Sequence, residues 1–210
     1  MSKLKILCLH GYSQTADTFR TKTGAFRKLF KKQCEFVFVQ APNVIDEETG
    51  YAWWFSRSDH YFKAQDDTDC DSGFEESLQT IREFSAKHGP FDGMLAFSQG
   101  AAFGLILQLI VEHKLYDLGE LSFNFSILVA PFYSRSVQHH AYYKYKSSLP
   151  TLVVYGMQDQ VIQAEMTEET LPVFTSPTTY CHDGEHYIPA TPDARKSYDC
   201  FLSAFLNKVP

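Results

Sequence analysis

Ala96-Phe97-Ser98-Gln99-Gly100 closes an apolar run and opens a long helical pattern. A serine on such a strand-to-helix turn is held on a strained backbone with its hydroxyl exposed, and the turn closes only if the residues two positions to either side are small. Ala96 departs from the commoner GxSxG spacing but still offers no large side chain. A hydroxyl attacks a carbonyl only if a base takes its proton, and the base needs an acid to fix its tautomer. Asp159 lies just beyond one apolar run and His186 beyond the next, so the chain order is serine, acid, histidine, one of the orders in which acyl-transfer triads occur. Asp183 and Asp193 compete for the acid, and His182 for the histidine. Asp159 is preferred because the strand before it delivers its side chain to the carboxyl edge of a sheet, where open α/β sheets bind ligands. Asp183 is too near His186 in sequence to orient it, and Gly184 gives the histidine loop its turn.

The same chemistry requires donors for the developing oxyanion. The helix opening at Gln99 directs free N–H groups and the positive end of its dipole toward Ser98. Gly11, at the end of the first apolar run in LCLHGYSQ, permits a turn that aims the Tyr12 N–H at the same point, so Tyr12 and Gln99 are the expected oxyanion donors. His10 reads as a structural residue beneath this loop. Trp53, Trp54, Phe103, Phe132, Tyr133, Ile162, Tyr187 and Ile188 stand in or beside segments leaving the carboxyl ends of strands and are candidate pocket residues, although any one of them fits a core equally well. His139 and His140, without carboxylates at ligand spacing, read as a surface pair, and no metal or other cofactor is expected.

Six short runs rich in β-branched and aromatic residues, at 5–10, 35–40, 93–97, 125–130, 151–155 and 178–181, predict six strands. Most lack polar alternation, as expected where helices cover both faces of a parallel sheet. Helical patterns fall at 17–32, at 72–87 with Ser72 as a cap and Glu75 three residues on, at 99–113, at 163–174 and at 192–206. The fold expected is a doubly covered, mostly parallel α/β sheet with right-handed crossovers and a minimal cap, as one domain over residues 1–210. Residues 41–70 are far longer than an ordinary connection. Trp53, Trp54, Phe55, Tyr61 and Phe62 make that segment a folded flap beside a pocket, with its acidic end, 65–71, in solvent.

The chain has 210 residues, 44% of them hydrophobic and 21% charged, with 19 Lys and Arg against 25 Asp and Glu. Such a composition supports a conventional core and excludes coiled coil, collagen-like repeats and disorder. A net charge of −6 leaves no basic footprint for nucleic acid. Five scattered cysteines without a CxxC pair fit reduced thiols in the cytoplasm, and neither a signal-peptide pattern nor a membrane-spanning run is expected.

LHGYSQ, KTGAFRKLFKK, GPFDGMLAFSQGAA, GMQDQVI and HDGEHYIP together resemble the small α/β-hydrolases called the family of serine hydrolases, found in fungi and with animal relatives. The similarity runs along nearly the whole chain and is weakest in the flap, at 44–71. It implies the α/β-hydrolase fold without the usual leading antiparallel strands, and a metal-free hydrolase with Ser98, Asp159 and His186 in the catalytic roles. It also implies small-molecule carboxylic esters, with long acyl or alkyl chains, as substrates, and thioesters in some relatives. The same machinery could cleave thioesters or peptides, and a non-catalytic binding protein for an apolar ligand is the alternative of another class. Oligomeric state is not legible.

Overall fold

The computed structural model describes residues 3–46 and 50–206. Its strands are β1 (Leu4–Leu9), β2 (Cys34–Val39), β3 (Asn43–Asp46), β4 (Gly50–Ala52), β5 (Gly93–Phe97), β6 (Phe125–Val129), β7 (Thr151–Gly156) and β8 (Thr178–His182). Six of them form one sheet in the order β2-β1-β5-β6-β7-β8, and every neighbouring pair is parallel. This is the α/β architecture expected from the six apolar runs. The strand order reverses direction between β1 and β5, so a crevice opens where their carboxyl ends diverge.

The helices are α1 (Ala16–Lys22), α2 (Gly24–Phe30), α3 (Phe74–His88), α4 (Gln99–His113), α5 (Ala164–Glu168) and α6 (Pro192–Leu206). Alternate strand residues feed two cores. Leu7, Leu9, Met94, Ala96, Leu128 and Val153 face α3, α4 and the flap, whereas Ile6, Cys8, Leu95, Phe97, Ile127 and Val154 face α1, α2 and α6. Helix α4 is buried along almost its whole length, which is why its sequence carries so little polar patterning.

Three helix expectations need correction. The pattern at 17–32 is two helices, because the Thr23 hydroxyl bonds back to the Phe19 and Arg20 carbonyls and the chain bends there. Ser72 does not cap α3; the cap position is Gly73, at φ 87°, whose carbonyl accepts a hydrogen bond from the Asn43 amide. The pattern at 163–174 breaks into α5 and a 3₁₀ turn at Leu171–Val173, since Pro172 cannot donate within a continued helix.

The flap contains an antiparallel hairpin, β3–β4, that the sequence reading lacks. Tyr51 bridges the hairpin to Gln14 in the loop after β1, and the chain then enters the core at Trp53 and Trp54. Nor is the acidic end simply solvated. Thr68 forms a bridge with Ser136, the Ser136 hydroxyl donates to the Cys70 carbonyl, and Asp66 pairs with Arg57. All five cysteines are free.

Candidate active site

The end of β5 places Ser98 at φ 56° and ψ −123°, a region that side-chain-bearing residues rarely occupy. Two contacts show why its neighbours must be small. A Cβ on Gly100 would lie 2.3 Å from the His10 carbonyl oxygen, so only glycine lets α4 start against the end of β1. Ala96 fits because the facing helix position is Gly104, where an added Cβ would stand 3.1 Å from that of Ala96. The alanine in the first small position is thus accommodated by a glycine one helical turn beyond Gly100.

His186 and Asp159 arrive from neighbouring strands. Pairing of β7 with β8 continues past the strand ends through the Met157 N–H to the His182 carbonyl and the Gln158 N–H to the Gly184 carbonyl. Gly156 permits this, since a Cβ there would lie 2.3 Å from the Gly184 oxygen. The result is a continuous line of hydrogen bonds, with His186 Nδ1 2.6 Å from Asp159 Oδ2 and His186 Nε2 2.9 Å from Ser98 Oγ. The second carboxylate oxygen, Oδ1, accepts the Val161 and Ile162 N–H groups at 2.8 and 2.9 Å.

Burial alone would raise the Asp159 pKa, but the His186 bond and the two backbone donors outweigh it and hold the carboxyl below its usual range. An ionised carboxylate only accepts. Nδ1 of His186 therefore carries the proton, and Nε2 is left to accept from the Ser98 hydroxyl. Phe97 lies 4.6 Å from the His186 ring, centre to centre, and supports it from below. The competing residues stand elsewhere: Asp193 pairs with Lys196, and His182 Nδ1 accepts the Gly184 N–H, shaping the loop that carries His186.

Gln99 follows the serine directly, and Tyr12 follows Gly11, where an added Cβ would lie 3.3 Å from that of Ser98. Neither backbone N–H donates a hydrogen bond to another group among the described residues. His10 is fully buried, and desolvation lowers its pKa to about 4. It is structural: Nε2 accepts the Ala41 N–H at 3.1 Å, leaving Nδ1–H to donate to the Gly11 carbonyl at 2.8 Å.

The eight candidate pocket residues do not form one wall. Trp53 and Phe103 stack at 4.8 Å inside the core, and Trp54, Phe132 and Ile162 belong to the same buried cluster. Tyr133 packs on Tyr143, Ile188 joins the core on the opposite face of the sheet, and Tyr187 is exposed. A row of ring contacts runs from Tyr12 through Phe62 to the buried Phe132, with ring centres 5.4 and 6.1 Å apart. It joins the loop after β1 to the loop after β6, the strands either side of β5. Phe62 and the side chain of Tyr12 are not among the eight residues read from sequence, because nothing in the local pattern says which flap aromatic meets the loop after β1.

His139 also needs correction. It is buried rather than on the surface, its Nδ1 lies 2.7 Å from Ser134 Oγ, and burial drives its pKa down to about 3. No group of three or more potential metal ligands occurs among the described residues. A cavity of about 520 Å³ lined by Arg82, Phe91, Leu118 and Leu121 opens at the opposite, amino-terminal edge of the sheet, and no histidine lines it.

A parallel sheet in this order, with a strained serine after β5 and an acid and a histidine beyond β7 and β8, defines an α/β-hydrolase. Residues 1–198 match the family model described as serine hydrolase (FSH1), and the chain belongs to that family of serine hydrolases. It is 38% identical to Esterase OVCA2 of Danio rerio, covering 96% of this chain and 97% of that one. It is 36% identical to Esterase CG5412 of Drosophila melanogaster, covering 98% and 76% respectively. Two solved structures share the fold: Zea mays acyl-protein thioesterase 2 superposes with a TM-score of 0.68 at 16% identity, covering 98% of this chain and 95% of that one. Esterase PE8 gives a TM-score of 0.65 at 19% identity, covering 97% and 93%. No helix among the described residues is long and apolar enough to cross a membrane.

Proposed function

We propose that this serine hydrolase cleaves carboxylic esters with apolar acyl or alkyl chains through an acyl-enzyme, using Ser98 as nucleophile, His186 as general base and acid, and Asp159 to orient the imidazole. The observation that carries this reading is the pair of hydrogen bonds, 2.9 and 2.6 Å, linking Ser98 Oγ to His186 and His186 to Asp159. As Oγ attacks the carbonyl carbon, its proton passes to His186 Nε2. The carbonyl electron pair moves onto oxygen, which the Tyr12 and Gln99 N–H groups receive. Collapse of this tetrahedral species breaks the bond to the alkoxide, which takes the proton from Nε2. Water then repeats the sequence on the acyl-enzyme and releases the acid. The half-buried rings of Tyr12 and Phe62 support an apolar substrate chain, since they offer uncharged surface at the loop after β1, whose Gly11 abuts Ser98.

Hydrolysis of p-nitrophenyl esters of increasing acyl length, with a thioester of matched acyl group alongside, tests the proposal against Ser98→Ala. Turnover should rise with acyl length, favour the oxygen ester, and vanish in the variant. Equal turnover with and without Ser98 would remove the assignment, and faster cleavage of the thioester would reassign the leaving group.

A further inference from the structure

The two oxyanion donors sit on different elements, and their relative position depends on what couples the loop after β1 to the start of α4. Within that loop the polar groups of two successive peptides are tied down. The His10 carbonyl accepts the Trp53 indole Nε1–H at 2.8 Å, and the Gly11 N–H donates to Gln14 Oε1 at 3.2 Å. The Gly11 carbonyl is held by the His10 ring at 2.8 Å. In a trans peptide the N–H points opposite the carbonyl, so anchoring the Gly11 oxygen on the His10 ring aims the Tyr12 N–H away from that ring.

Trp53 also grips the other half. Its own N–H donates to Gln99 Oε1 at 2.9 Å, and Gln99 Nε2 donates to the Trp54 carbonyl at 2.7 Å, so a buried side-chain amide pairs with the flap backbone as a strand would. The indole stacks on Phe103, one turn into α4, with the ring planes 10° apart. One fully buried residue therefore contacts the peptide that precedes the Tyr12 donor and the residue that carries the Gln99 donor.

We propose that Trp53 is a positioning residue that holds the two halves of the oxyanion hole in register: its indole N–H fixes the loop after β1, and its main-chain N–H, paired with the Gln99 side chain, fixes the start of α4. This deepens the proposed acyl-transfer function and rests on it. It also gives Trp53 a role other than lining a pocket, as its lack of exposure requires.

Trp53→Phe tests this, since it keeps an aromatic ring on Phe103 and the main-chain bonds to Gln99 but removes the donor to His10. Phe103→Leu serves as the packing control, because it loosens the same stack and leaves that donor in place. Both are compared with wild type on a long-chain p-nitrophenyl ester, with rates normalised to titrated active sites and with the affinity of an apolar trifluoromethyl ketone, which forms a tetrahedral oxyanion on the serine. Trp53→Phe should lower kcat about tenfold or more, short of the roughly 10²–10³ that follows loss of a whole donor, leave KM within about twofold, and weaken the ketone by the same factor as kcat. Phe103→Leu should lower Tm while keeping kcat within about twofold of wild type. An unchanged kcat in Trp53→Phe, or equal losses in the two variants, would overturn the inference and leave the hydrolase reading standing. A wild type no faster than Ser98→Ala would remove both.

Discussion

Asp159 shows how far residue chemistry alone determines the site. Its carboxylate accepts three hydrogen bonds, one from His186 and two from backbone N–H groups, and these keep it ionised below the usual carboxylate range. Asp159→Asn removes the charge and lets the amide donate to His186 Nδ1, which moves the imidazole proton to Nε2 and leaves no acceptor for the Ser98 proton. Turnover should fall by about 10⁴ with little change in fold, measured as kcat on a p-nitrophenyl ester beside thermal unfolding. A variant within tenfold of wild type would show that Asp159 does not orient the base. Ser98, His186 and Asp159, which the structure joins by hydrogen bonds and to which we assign the reaction, could be picked out in sequence because acyl transfer demands a nucleophile, a base and an acid, and each here follows a strand. The pocket was not legible in the same way. An aromatic residue serves a core and a pocket equally well, and only packing shows that Trp53 and Phe103 are interior while Tyr12 and Phe62 are half-buried and meet ring to ring.

The turn that carries Ser98 is a property of three elements in contact. Helix α4 begins so close to the end of β1 that Gly100 has no space for a methyl group, whereas an added Cβ at Gly24, the first residue of α2, meets nothing within 4 Å. The same substitution should therefore have opposite outcomes. Gly100→Ala should destabilise by about 1–3 kcal/mol through overpacking and lose most activity as α4 lifts away from His10. Gly24→Ala should be neutral or stabilise by up to about 1 kcal/mol by restricting the unfolded chain. Denaturation midpoints and ester turnover of the pair check this, and a Gly100→Ala variant as stable and active as wild type would mean that the elbow does not need the close approach. Strands and the central helix were readable from their continuous apolar runs, since burial on both faces leaves a direct mark on composition. The hairpin β3–β4 and the capping of α3 left none. They depend on single side chains reaching distant backbone, such as Asn43 to the Ala52, Trp53 and Gly73 carbonyls and Ser77 to the Trp53 carbonyl, and no local pattern encodes such bonds.

Across the whole molecule, folding buries two histidines in the neutral state, one beneath the loop after β1 and one where the flap meets the segment after β6. Burial lowers His10 to about 4 and His139 to about 3, whereas both titrate near 6.5 in the unfolded chain. Between these values the unfolded state binds two protons that the folded state does not. Stability is therefore fully present above the unfolded pKa and is lost as pH falls below about 6.5, with a limiting slope of about 2.7 kcal/mol per pH unit for two protons. His182, also lowered by burial, acts in the same direction. Asp71, whose carboxyl is raised by burial and which lies 3.7 Å from His139, opposes the trend. Asp159 adds a further loss on acidification, confined to pH values below its unfolded pKa near 3.8. Urea denaturation midpoints recorded from pH 7.5 down to about 5 should fall steeply through this window. His139→Phe keeps a ring against Phe74 and Trp54 but cannot take up a proton, and should cut the slope by about half. A flat profile in the wild type, or an unchanged slope in the variant, would mean that these histidines are not the groups whose protonation competes with folding. The expected slope ties the acid limit of the fold to the loop after β1, which carries the proposed Tyr12 donor, because protonating His10 breaks its bond from the Ala41 N–H and releases that loop from the flap.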